Sequence, residues 1–326
     1  MTSFPDLGAF AAAYPTLTGT ALALAHQVCQ QSDAEIRFFN KQLNQHKLAP
    51  QGWKIELNAA SATPWQHQIS QADTANHYQL HNSQTLAASA LSVAFELAYL
   101  DQCAKSQKIA KSKLGKDETS LTCWFANLDQ VDLEQAKESS MTLALDTALL
   151  VYFHQVSQVM FGHTALAEPS LAERRALITD ADFNAGTMFC LWLDYHQTAT
   201  RIPADASQAV QRLINAAYLL GVLDKAQSNN KNALHFASNR VNCFVSGAVS
   251  ALHEMDKGKQ FASEEDELQL QISELSQWIE AALRDSSLTD AVGSESDIER
   301  DEEKLQGETA SIRAELKAGP LVKLAF

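Results

Sequence analysis

Between His154 and His163 the chain reads His-Gln-Val-Ser-Gln-Val-Met-Phe-Gly-His, and Asp180 and Asp182 follow a short distance on. Imidazoles and carboxylates are the groups that hold divalent metals and move protons. His154 and Gln158 are four residues apart and share a helical face, but an amide oxygen is a feeble metal ligand. Gln155, beside His154, cannot accept a proton at neutral pH. His154 and His163 are nine residues apart, about 900° of helix and so half a turn out of phase. A metal site built from His154, His163 and Asp180 therefore requires Gly162 to end the helix and let His163 fold back. The other reading is structural. Leu149 to Phe161 is nearly all apolar, which makes it a buried helix, and a buried His154 needs a polar partner. Asp182 is the expected one.

This segment resembles the metal-binding helix of zincin metallopeptidases of the glutamate-ligand type, HExxHxxxGH, written here as HQxxQxxxGH. The resemblance covers about residues 146–190. In the family, two histidines on one helical face hold zinc, and the Glu beside the first is the general base. The following helix carries a Glu ligand, with an Asp four residues later that orients the first His. The resemblance places Gln155 at the general-base position, Gln158 at the second ligand, Ile178 at the Glu ligand and Asp182 at the orienting carboxylate. It implies a zincin-like fold. With base and ligands replaced, it also implies a catalytically degenerate protein that acts by binding or regulation, with no cofactor. Two alternatives stand beside this reading: an active zinc metallopeptidase with unusual ligands, and an unrelated helical interaction scaffold.

Other polar groups lie within apolar surroundings. His235, Asn239 and Asn242 fall at i, i+4 and i+7, on one helical face, where they either line a pocket or bond between helices. Cys243 is eight residues from His235, about 12 Å along a helix, too far for a nucleophile–base pair. The cysteines at 29, 103, 123, 190 and 243 are scattered and odd in number, without a CxxC pair, as suits free thiols in a cytoplasmic protein. Phosphate-loop, GxGxxG and GxSxG signatures are missing from the sequence.

The elements that must position these groups follow from periodicity. Helices are expected over Thr20–Gln45, Leu86–Cys103, Leu133–Phe161, Pro169–His196, Ala204–Leu220, Asn230–Met255 and Glu264–Leu283. Strands are expected at Trp53–Leu57, His77–His81 and Leu121–Ala126. The fold class is α+β and predominantly helical, with a small sheet packed with helices in the N-terminal half.

The formal charge is −14, a poor footprint for nucleic acid or anionic membrane, and no apolar run reaches membrane-spanning length. Most of the charge is local: residues 262–326 hold 16 acidic and 6 basic side chains. Two regions are expected, a helix-rich body over 1–261 and an acidic helical tail over 262–326, with a linker near 286–296. Ile298, Leu305, Ile312 and Leu316 give the tail a short heptad-like seam. The expected partner is a protein, met through this tail.

Overall fold

The computed structural model describes residues 4–45, 54–61, 65, 67–71, 76–106, 125–166, 168–195, 206–228, 230–255, 279–284 and 288–318. These are mostly helical, with one three-stranded sheet. Contacts divide the chain into two compact units, Met1–Leu149 with Asp285–Ser287, and Leu150–Arg284 with Leu288–Phe326. The boundary expected at 261/262 is not where the contacts divide. No helix among the described residues is long and apolar enough to cross a membrane.

In the first unit, α1 (Leu7–Ala13) is started by Asp6, whose carboxylate accepts from the Ala9 N–H. Then come α2 (Gly19–Gln45), β1 (Lys54–Ser61), β2 (His67–Gln71), β3 (His77–Ser83) and α3 (Leu86–Lys105). The sheet order is β1-β3-β2, with β1 parallel and β2 antiparallel to β3. As an edge strand, β1 leaves backbone groups that need partners. Asn40 and Asn44, one turn apart on α2, supply them by donating to the Ile55 carbonyl at 3.0 and 3.1 Å. Leu86 to Leu97 of α3 is buried throughout, so this helix forms the floor of the unit. Residues 121–124 of the third expected strand lie outside the described residues, while Phe125 and Ala126 form a turn. The turn is tied to α3 by the Phe125 N–H, which donates to the Ser92 hydroxyl at 2.9 Å.

The contact division falls inside α4 (Leu133–Met160). The second unit continues with α5 (Leu171–Tyr195), α6 (Ala206–Gln227), α7 (Ala237–Glu254), α8 (Thr289–Val292), α9 (Glu295–Lys304) and α10 (Ala310–Ala318). Between α9 and α10 a π-helical turn covers Leu305–Thr309. α5 and α7 cross almost backbone to backbone. A Cβ on Gly186 would fall 1.9 Å from the Phe244 carbonyl oxygen, and one on Gly247 would fall 1.8 Å from that of Phe183. Only glycine permits this approach, and Thr187 spans it by donating to the Gly247 carbonyl at 2.9 Å.

The acidic tail, expected as a region of its own, belongs in part to the second unit. Residues 288–296 hold α8 and the start of α9, where a linker was expected, and Ser294 caps α9 by accepting from the Asp297 N–H. Asp301, Thr309 and Leu316 are buried. Leu316 joins Ala176 and Leu177 of α5 in an apolar cluster, with Ile312 against it. These two seam residues thus pack on the chain's own unit. Most of the expected 264–283 helix lies outside the described residues.

Candidate functional site

Asp180 and Asp182 are two residues apart on α5 and so about 200° apart around its axis. One carboxylate meets α4 and α7; the other meets the chain after α4 and the tail. Asp182 is fully buried. Arg240 of α7 grips it with two hydrogen bonds, Nε to Oδ2 and Nη2 to Oδ1, both 2.8 Å. The remaining Nη1 donates to Asp224 of α6 at 3.0 Å. The guanidinium is 1% exposed and its carbon lies 5.8 Å from the centre of the Phe244 ring. Burial opposes ionisation of Asp182, but the charge and hydrogen bonds of Arg240, with help from His154, hold its carboxyl below the usual range.

His154 is the fourth member. Its Nδ1 lies 2.8 Å from Asp182 Oδ1, although the ring N–H is not aimed along that line. Its Nε2 accepts from the Gln158 amide at 3.1 Å, which in the neutral ring leaves the proton on Nδ1, the nitrogen nearer the carboxylate. The pairing expected from sequence, His154 with Asp182, is thus close in space. Gln155, at the general-base position, is 1% exposed.

α4 stops at Met160. Gly162 then takes φ +77°, the left-handed conformation that favours glycine, and a short 3-10 turn follows over His163–Ala165. His163 thereby becomes buried and its Nε2 bonds Asp180 Oδ2 at 3.0 Å. Asp180 also accepts from Asn184 at 3.3 Å and from Arg313 of α10 at 2.9 Å. Burial lowers the His163 pKa, with Asp180 opposing. Of the three candidate ligands, His163 and Asp180 therefore meet, while His154 bonds Gln158 and faces Asp182. Among the described residues no group of three or more His, Cys, Asp or Glu side chains is placed to hold a metal ion.

The residues read as lining a pocket or bonding between helices do not share one helical face. A short 3-10 turn covers Lys231–Ala233 and α7 begins only at Ala237, so His235 precedes the helix it was expected to belong to. His235 and Asn239 nevertheless converge, because the tail supplies Asp301 between them. His235 Nδ1 is 2.9 Å from Asp301 Oδ1, and Asp301 Oδ2 accepts from the Phe236 N–H at 2.7 Å and the Asn239 amide at 3.0 Å. Burial of Asp301 is outweighed by these donors, led by His235, and its carboxyl is held below the usual range. Asn242, the third candidate, is half-buried and its Oδ1 has no partner among the described residues.

The chain matches no family model, no curated protein and no solved structure. The centre therefore rests on its own geometry.

Sequence reading missed Arg240, Asp224, Asp301 and Arg313. Arg240 carried a signal, the one permanent charge between Lys231 and Glu254. The four described cysteines are free. Burial pushes the thiols of Cys190 and Cys243 up to about 12, far from nucleophilic poise.

Proposed function

We propose that this chain is a catalytically degenerate, metallopeptidase-like protein that acts by binding or regulation and needs no metal. The observation that carries the reading is the grip of Arg240 on Asp182 and Asp224. A buried guanidinium already pairs with both carboxylates at the centre, and a dication there would have to take them from it against its positive charge. The donor set does not fit zinc either. Gln155, Gln158 and Ile178 stand where the resemblance puts a base and two ligands, and both nitrogens of His154 face other groups. A zincin-like ancestry accounts for the retained His154–Asp182 pair, turned from orienting a ligand to holding helices together.

The binding role falls to the acidic side of the tail. Six of the ten residues of α9 are acidic, and Glu295, Glu299, Glu302 and Glu303 are exposed. The partner is a protein with a basic surface, met in the cytoplasm.

Metal analysis of purified protein and of His154→Ala tests the reading. Zinc well below one equivalent in both is expected. Near-stoichiometric zinc that the substitution removes would restore the metallopeptidase alternative.

A further inference from the structure

The tail carries an outlier of backbone geometry that lies outside the metallopeptidase resemblance. Between α9 and α10, Leu305–Thr309 forms a π-turn. Such turns are rare within helices and frequent at functional sites.

This turn decides which tail side chains face the rest of the unit. Asp301 and Thr309 are eight residues apart. In an unbroken α-helix that is about 800°, which leaves them about 80° apart around the axis. A π-turn closes its hydrogen bonds over one residue more than an α-turn, so it absorbs a residue and brings the pair to within about 20° of each other. Both then meet one imidazole. His235 Nδ1 lies 2.9 Å from Asp301 Oδ1, and its Nε2 lies 3.4 Å from the Thr309 hydroxyl. Within the turn, Glu308 pairs with Arg175. Beyond it, Arg313 pairs with Asp180 at 2.9 Å, and Leu316 packs with Ala176 and Leu177, with Ile312 and Leu166 against them.

These anchors lie on both sides of the turn, and a regular α-helix of the same length cannot keep both sets. If the turn relaxes while Asp301 stays in place, everything after it rotates by about 100°. Thr309 then leaves His235, Arg313 leaves Asp180 and Leu316 leaves the apolar cluster, all at once, because they move as one helix. Gly307 is the residue the turn can spare. It is exposed, and a Cβ on it would meet nothing within 4 Å.

We propose that the π-turn and α10 form a two-state strap, docked on α5 in the π register and released as one continuous α-helix with α9. Release uncovers Asp180 with His163, and the cluster at Ala176 and Leu177, while α9 stays fastened at Asp301. The rare backbone form costs part of what the anchors contribute and so keeps the two states close.

Hydrogen exchange of the full chain tests the strap. Deletion of Gly307 lets the anchors on both sides keep their partners on a regular α-helix. It is expected to slow exchange across residues 308–318 by about tenfold, with α5 and α7 unchanged. A deletion variant that is folded by circular dichroism and exchanges there as fast as the wild type, or faster, overturns the proposal. Arg313→Gln, which removes an anchor beyond the turn, tests it independently. Exchange across 308–318 is expected to quicken by about tenfold while 298–304 stays protected, and the ¹³Cα shifts are expected to remain helical from Glu295 to Ala318. Loss of helical shifts after Leu305 would mean that α10 melts instead of changing register. Equal loosening of 298–304 would mean that the tail leaves as a whole. Either result, or unchanged exchange, overturns the strap.

Discussion

Asp182 and Asp301 are two buried carboxylates, each facing a histidine and each held below the usual pKa range. Their support differs in kind. Asp182 is answered by a full positive charge, Arg240, from a helix packed directly against its own. Asp301 is answered by a ring nitrogen, a backbone N–H and an amide, all brought by His235, Phe236 and Asn239. The first arrangement belongs to the helical core of the unit. The second fastens a segment that arrives more than sixty residues later. A charge-for-charge bond thus holds α5 to α7, whereas the bond at Asp301 is built of dipoles and fastens the tail beside the ion pair of Arg313 with Asp180.

The sharpest way to break this contrast is Arg240→Met. It leaves Asp182 and Asp224 buried without their cation, a change that costs about 3–5 kcal/mol. Chemical denaturation should show a loss of that size, and adding Asp182→Asn should return part of it. If the single variant is as stable as the wild type, the core is not held by charge. Gly247→Ala comes next. Its new methyl group meets the Phe183 carbonyl, so α5 must move from α7 and Asp182 from Arg240, at a cost of about 1–3 kcal/mol or more. Calorimetry should show a matching fall in melting temperature. Asp301→Asn costs a comparable amount, about 1.5–3 kcal/mol for hydrogen bonds to a charged group, but its effect is local. Hydrogen exchange should speed up across residues 288–318 while α5 and α7 keep their protection; equal loosening of both would erase the distinction.

The mildest probe is pH. Both aspartates have folded-state pKa values below their unfolded ones, so the stability they give is complete above about pH 4 and is lost as pH falls through the folded values. Lys225 has the opposite consequence. Its ammonium donates to the carbonyls of Lys231 and Leu234 at 3.1 and 2.7 Å, yet burial pulls its pKa down to about 8. Between about pH 8 and its ordinary value near 10.4, the unfolded chain holds more protons, so this residue makes stability rise with pH in that window. A melting-temperature profile should show the rise, and Lys225→Met should flatten it.

Long helices were legible because their apolar spacing is dense. Thr20–Gln45 differs from the observed helix by one residue at its start, and Leu86–Cys103 by two at its end. β2 was not legible, since His-Gln-Ile-Ser-Gln holds one apolar residue and is half-exposed at a sheet edge. α1 is seven residues long, and its one clue was the capping Asp6. Within the site, the spacing of a family motif pointed from His154 to Asp182. Nothing local pointed from Asp182 to Arg240, 58 residues away. The tail misled because carboxylates on a helix look alike in a sequence. Glu302 and Glu303 face water while Asp301 beside them is buried, and the pocket-like His235 and Asn239 were the other half of that answer.

The distance along the chain from His235 to Asp301 also sets an order of events during synthesis. At 5–20 residues per second, synthesis has passed Glu254, the end of the helix that carries Arg240, roughly 2–9 s before Asp301 exists to meet His235. For that interval the nascent unit carries its central ion pair complete and an imidazole still waiting beside bare backbone, a surface open to whatever attends the growing chain.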